Sequence, residues 1–218
     1  VTALSYRRFA ERVDALAAQL SRLGVARGEV VAIWLPNRAE LLVAMMATWR
    51  LGATASPVNP QFLVPEAKRQ IDDCNAAIVV AEREEPLLSR TTLLIRACNS
   101  DRDRTCQAPG QPGCDEIALL IYTSGSTGVP KGVQLTHANL QYMGTAIGQN
   151  SDLSAADHAL LILPLFHVNA IAVSFLAPIL AGGQLSITGQ FSVTRFFADV
   201  ARLRPTYFSA VPTIYAML

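Results

Sequence analysis

Apolar residues recur along the first third of the chain in a pattern that switches between two periods. Phe9, Val13, Leu16, Ala17, Leu20 and Leu23 fall three or four residues apart, which predicts a helix with one buried face. Ser5 is placed to cap it, and Gly24 to end it in the left-handed conformation. Residues 30–35 form a short β-rich run that Pro36 stops. Asn37 and Glu40 then have the spacing of a capping box, ahead of a mostly apolar helix that reaches Leu51 and ends at Gly52. Residues 53–58 read as a strand, Pro65 opens a helix running to about Cys74, and residues 76–81 read as a strand again. Strands alternating with helices of this length mean βαβ units, hence an α/β fold.

The second half continues the alternation. Strand-like runs at 117–122 and 133–135 flank a polar, glycine-rich stretch. Thr136 is a good cap for a helix from His137 to about Gly148, followed by a strand over 158–163 and the phrase Leu163-Pro-Leu-Phe-His-Val-Asn169. A helix over 170–180, a Gly182-Gly183 turn and a strand over 184–188 come next. Ser192 is placed to cap a helix whose Phe196, Phe197, Val200 and Leu203 make an apolar face. A last strand over 206–211 leads to Pro212, which opens a helix cut off at Leu218 without a cap, as in a fragment. Residues 96–115 are polar with two prolines and two glycines. They read as a surface connection inside one larger domain.

Composition narrows the function classes. Charged residues make up 16% of the 218 positions, against about 25% in an average soluble protein. Mean hydropathy is +0.29, so the chain carries more interior than its length requires. A net charge of +1 without a basic run gives nucleic acid or an anionic membrane no purchase. The most apolar region, 159–188, is broken by Pro164, His167, Asn169, Pro178 and Gly182. A spanning helix needs about 20 largely uninterrupted apolar residues, so none is expected. Residues 1–20 read as a soluble amphipathic helix with its lead-in, so a secretory leader is not expected there, and the four cysteines (Cys74, Cys98, Cys106 and Cys114) form no C-x-x-C pair. Reduced thiols in a cytoplasmic protein are the expectation.

The chemistry concentrates in Tyr122-Thr-Ser-Gly-Ser-Thr-Gly-Val-Pro-Lys-Gly132. Glycines let a backbone approach an anion closely, and free N–H groups in such a turn form a nest for phosphate oxygens. Thr123, Ser124, Ser126, Thr127 and Lys131 add donors. A hydrogen bond to a charged group contributes roughly 1.5–3 kcal/mol, so several can hold a polyphosphate. A solvated linker would not need strands on both sides and a lysine after the last turn glycine. The Walker A spacing G-x-x-x-x-G-K-[ST] is absent, because Pro130 stands five positions after Gly125 and Gly132 follows Lys131.

This stretch, with Leu135-Thr-His-Ala-Asn-Leu140 behind it, closely resembles the signature of the adenylate-forming (AMP-binding) superfamily. Ile33-Trp-Leu-Pro-Asn37, Pro57-Val-Asn-Pro60 and Ala210-Val-Pro-Thr213 are similar to further landmarks of its acyl-CoA synthetases. The resemblance spans residues 1–218, as an incomplete N-terminal AMP-binding domain with mixed sheets flanked by helices. It implies an acid–CoA ligase: ATP activates a carboxylic acid to an acyl-adenylate, and CoA then takes the acyl group. Thr123, Ser124, Gly125, Ser126, Thr127, Gly128, Lys131 and Gly132 are thereby assigned to the ATP phosphates, with Lys131 as catalytic cation and Thr127 toward Mg²⁺. His167 would lie beside the carboxylate and gate the acyl pocket. Phe166, Val168 and Asn169 would line it, and Val211 and Pro212 would approach the acyl chain or adenine. His137, directly behind the Thr136 cap, is expected to be structural.

The family's adenine-binding segment, its Thr-Glu motif, the ribose-binding Asp and the catalytic Lys of a mobile C-terminal domain have no counterpart up to Leu218. These 218 residues alone are therefore expected not to turn over. Two other readings stay open: an adenylation domain loading a carrier-protein thiol, and a truncated, non-catalytic binding module. The acid itself, whether short-chain or oxalate-like, fatty or aryl, is not specified by these residues.

Overall fold

A computed structural model describes residues 3–86, 88, 90–95, 112–123 and 130–218. The chain divides into two compact units, residues 1–35 with 39–137, and residues 36–38 with 138–218.

In the first unit, helix α1 (Tyr6–Arg22) starts where the sequence places it, with Ser5 Oγ accepting the Arg8 N–H at 3.2 Å. Gly24 ends it at φ +93°, a conformation that costs a residue with a Cβ about 1 kcal/mol or more. Strands β1 (Val30–Trp34), β2 (Thr54–Pro57), β3 (Ile78–Ala81), β4 (Thr91–Leu94), β5 (Ile117–Thr123) and β6 (Lys131–Thr136) form one sheet in the order β4-β3-β1-β2-β5-β6. Its strands run parallel except for the final antiparallel β5–β6 hairpin. Helix α2 (Ala39–Arg50) connects β1 to β2 and buries Leu41, Leu42, Ala44, Met45 and Ala47. Helix α3 (Val64–Asp73) connects β2 to β3, and Ala67 and Ile71 pack into the core with Ala32, Val79 and Leu120. At its start the Glu66 carboxylate accepts the Leu63 N–H at 2.8 Å, the reciprocal half of a capping box without a partner hydroxyl.

The sequence gives no signal for β4. Its Thr-Thr-Leu-Leu run pairs only with β3 and stays largely accessible at the sheet edge, where no alternation of polar and apolar faces is demanded.

The second unit holds helix α4 (His137–Asn150), which starts at the boundary, and a three-stranded parallel sheet. Strands β7 (His158–Leu161), β8 (Gln184–Ile187) and β9 (Tyr207–Phe208) lie in the order β8-β7-β9. Helix α6 (Val193–Leu203) precedes β9, and the short α7 (Pro212–Met217) follows it. A Cβ on Gly144 of α4 would stand 2.8 Å from Leu180 Cδ1 and 3.2 Å from Leu176 Cβ, so glycine is what lets these helices approach.

Four local expectations are corrected here. The helix predicted over 170–180 is π-helical over Ala170–Leu176, and only α5 (Ala177–Leu180) is α-helical. The last strand is two residues long rather than six. Ser192 stands at the start of α6, but its hydroxyl contacts Thr194 Oγ1 at 3.0 Å and caps no backbone N–H. Phe197 is 61% exposed while its neighbour Phe196 is 6% exposed. Successive helical residues point about 100° apart, so the two rings cannot share the buried face. Among the described residues no helix is long and apolar enough to cross a membrane.

Candidate functional site

The first set of predicted site residues sits on the β5–β6 hairpin. Its register pairs Tyr122 with Gly132 and Thr123 with Lys131. Directly opposed residues in an antiparallel pair lie about 4.5–5.5 Å apart, so Thr123 and Lys131 form the two sides of the hairpin mouth. Both are exposed. Ser124, Gly125, Ser126, Thr127 and Gly128, with the Mg²⁺ reading placed on Thr127, lie outside the described residues.

The base of the hairpin explains one glycine that the phosphate reading alone does not. A Cβ at Gly132 would come to 2.9 Å from Leu120 Cδ1 and 3.4 Å from Tyr122 Cζ. The Tyr122 ring crosses the position where a side chain would stand. Its hydroxyl donates to the Asp73 carboxylate at the end of α3, and burial, then this hydrogen bond, push the phenol well above its ordinary pKa. The strand that enters the phosphate stretch is thus tied to a helix 49 positions away in sequence. A lysine head-group with no ion pair among the described residues, held at the mouth, is chemically suited to a polyphosphate. Among the described residues no group of three or more His, Cys, Asp or Glu is placed to hold a metal ion.

His137 stands just behind this hairpin. Its ring meets Trp49 edge-on at 6.0 Å, and Nε2 is buried without a partner among the described residues. Burial lowers its pKa, against the opposing effect of Glu116. Cys74 is buried and Cys114 exposed, both as free thiols, while Cys98 and Cys106 lie outside the described residues.

The second set sits in the turn that follows β7. The His167 N–H bonds back to the Pro164 carbonyl at 3.1 Å, which closes the turn. Phe166 and His167 pack ring against ring at 4.2 Å. His167 is exposed overall, yet partial burial of the ring still lowers its pKa. Asn169 Oδ1 accepts the Ser209 hydroxyl at 3.4 Å, so the start of the π-helix touches the segment leading to Val211 and Pro212. Those two open α7 and are exposed. A cavity of about 230 Å³ between β8 and α6, lined by Thr188, Gln190, Arg195 and Arg202 among others, contains none of the predicted acid-site residues.

Two residues that sequence reasoning misplaced or passed over hold this turn. Asn37 does not spend its side chain on α2, as a capping box requires. Its Nδ2 donates to the Leu163 carbonyl at 2.8 Å, and its Oδ1 accepts the Leu165 N–H at 2.9 Å. The amide imitates a strand neighbour, satisfying a donor and an acceptor on alternate residues. The spacing to Glu40 gave a local explanation, and nothing local signals a partner 126 positions away. Tyr207, read only as part of a strand, donates its hydroxyl to the Val173 carbonyl at 3.2 Å. Burial, with the nearby Asp157 charge, pushes its pKa up to about 12.

The family model described as AMP-binding enzyme matches residues 1–218. Feruloyl-CoA synthase of an Amycolatopsis species is 34% identical over 220 residues, covering 98% of this chain and 45% of that protein. Sulfoacetate–CoA ligase of Cupriavidus necator is 32% identical over 233 residues, covering 99% of this chain and 46% of that protein. Among solved structures, o-succinylbenzoate CoA synthetase (MenE) of Bacillus subtilis, in complex with the acyl-adenylate intermediate OSB-AMP, superposes with a TM-score of 0.90 at 26% identity. That match covers 99% of this chain and 57% of the other. ATP-bound MatB of Rhodopseudomonas palustris superposes at 0.86 with 25% identity, over 98% of this chain and 45% of the other. The chain thus spans less than half the length of these curated relatives. Over all of its own length it belongs to the AMP-binding enzyme family.

Proposed function

We propose that this chain supplies the phosphate-binding hairpin and one wall of the acid pocket of an ATP-dependent acid–CoA ligase. The observation that carries the reading is the hairpin register, which sets Lys131 against Thr123 at the mouth of the glycine- and hydroxyl-rich stretch. A substrate carboxylate oxygen attacks the α-phosphorus of ATP. The bond to the bridging oxygen breaks, and pyrophosphate departs with the acyl-adenylate left behind. Lys131 donates to the β- and γ-phosphate oxygens as charge gathers on the leaving group, where a fixed donor is worth most. Magnesium bound to the nucleotide would neutralise part of that charge, with Thr127 as the residue proposed to meet it.

In the second half-reaction the CoA sulfur attacks the acyl carbonyl and AMP leaves, giving the thioester. His167, its pKa below the ordinary value, is neutral at pH 7. It meets the acid as a hydrogen-bonding ring packed on Phe166, not as a cation. The relatives named for feruloyl-CoA and sulfoacetate–CoA formation support an organic acid as substrate and CoA as acceptor; the reaction is assigned to the cytoplasm as part of the same proposal.

Incubating the natural polypeptide with ATP, Mg²⁺, CoA and a panel of aryl, short-chain and fatty acids tests this. Equimolar AMP, pyrophosphate and acyl-CoA from at least one acid is the expected outcome. Production of ADP, or acyl transfer to a carrier-protein thiol but not to CoA, contradicts it.

A further inference from the structure

The wall behind the acid-side turn is not an ordinary helix, and its hydrogen bonds say why. The Ala177 N–H bonds to the Ala172 carbonyl, five residues back, which makes Ala170–Leu176 π-helical. In that register the Val173 carbonyl looks for the N–H of residue 178. Residue 178 is proline, which has none. In an α-helical register Ala177 would serve Val173, but that N–H is already spent on Ala172. The Tyr207 hydroxyl, on β9, fills the gap at 3.2 Å.

Ser174 indicates which way the segment is pulled. It is fully buried, and its Oγ has no partner. A serine in an α-helix has an outlet in the carbonyl four residues back, and here that bond is not made. The π register therefore leaves one buried hydroxyl unsatisfied and one carbonyl dependent on a tyrosine from another element. An α register would give Val173 the Ala177 N–H and Ser174 Oγ an outlet, but it would move the missing donor to the Ser174 carbonyl, which Pro178 would then face.

We infer that Tyr207 is a positioning residue for acid recognition, holding the Ala170–Leu176 segment in its π register by occupying the carbonyl that Pro178 leaves open. The inference rests on the reading of the Phe166–Asn169 turn as part of the acid pocket. One residue inserted or removed in a helix turns the side chains on either side of it by about 100° relative to each other. The register therefore decides which side chains between Asn169 and Val173 face the acid. Tyr207 meets the wall through its backbone carbonyl and is assigned no contact with substrate.

Tyr207→Phe in the natural polypeptide is expected to raise KM for the preferred acid on the order of tenfold while KM for ATP stays within about twofold. Pro178→Ala gives residue 178 an N–H that can serve Ser174 in an α register, so the double variant is expected to keep the raised acid KM, while Pro178→Ala alone, with Tyr207 still on Val173, stays within about twofold of the parent. A purely structural loss would raise the KM for ATP as well. Amide hydrogen-bond couplings give a reading free of activity: Ala177 pairs with Ala172 in the parent chain and shifts to Val173 in Tyr207→Phe. If Tyr207→Phe fails to fold, Pro178→Ala alone decides. Its Ala177 should stay paired with Ala172, because Tyr207 still occupies the Val173 carbonyl, and a shift to Val173 overturns the inference. Unchanged Ala177 pairing in Tyr207→Phe, or equal increases in the two KM values, overturns the inference. Absence of any acid-dependent activity overturns the ligase reading instead, and the couplings still decide the register.

Discussion

The hairpin that carries Lys131 and the turn that carries His167 are built on opposite plans. In the hairpin, the residues proposed for ATP are contiguous in sequence, and a ladder between adjacent strands sets the positions of Thr123, Lys131 and Gly132. In the turn, contiguous residues are held by side chains from far along the chain: Asn37 on Leu163 and Leu165, Ser209 on Asn169, Tyr207 on Val173. A site for a common ligand can be encoded locally, since every nucleotide triphosphate presents the same oxygens. A site for a particular acid is shaped from outside, so its contour can change without altering the turn itself.

That contrast predicts separable effects, with ATP affinity following the hairpin and acid affinity following the turn. The largest is expected for Lys131→Ala. Removing one fixed donor at developing charge costs roughly 10²–10³ in rate, so ATP–pyrophosphate exchange should fall by that order while acid KM is nearly unchanged. Equal effects on acid and nucleotide would break the separation. Next comes Asn37→Ala, which leaves a backbone donor and acceptor unsatisfied at the turn. A lost buried partner costs about 1–3 kcal/mol, and the loss should appear mainly as a raised acid KM. Asn37→Asp sharpens the point: it keeps the acceptor for Leu165 but sets a carboxylate against the Leu163 carbonyl, so it should rescue nothing.

Tyr122→Phe should act more gently. It removes the bond to Asp73 but keeps the ring over Gly132. A net loss of about 0.5–1.5 kcal/mol is expected, read as a lower urea midpoint and a raised ATP KM with acid KM steady. The smallest effect concerns pH. His137 and His167 both titrate below the ordinary 6.5 in the folded chain. The unfolded chain therefore takes up protons first as pH falls, so stability is full above about 6.5 and declines below it. His137→Gln should flatten that decline more than His167→Gln, because His167 is exposed and solvent screens it. Urea midpoints at pH 7.5 and 5.5 would measure both.

How much of this was legible follows the same division. The alternation of strands and helices appears directly in the apolar periodicity, and Ser5, Gly24 and Pro65 mark boundaries that the structure keeps. The phosphate stretch announces itself because glycines, hydroxyls and a lysine stand side by side. What was hidden depends on distant partners. Asn37 looked like a cap because Glu40 stands three residues on, and only the fold reveals the carbonyl it serves. The π segment reads as an ordinary helix because Pro178 alone does not say which carbonyl it leaves open; only the fold sets the Tyr207 hydroxyl on Val173, 34 residues away. Strand β4 passed unnoticed because an edge strand needs no amphipathic pattern.

ATP–pyrophosphate exchange by the natural polypeptide, measured acid by acid against a no-acid blank, tests the central claim most directly. Exchange that appears only with particular acids, and that collapses in Lys131→Ala, is the predicted result. Exchange that no acid raises above the blank would contradict acid activation by this protein and leave the hairpin as a nucleotide-binding element alone.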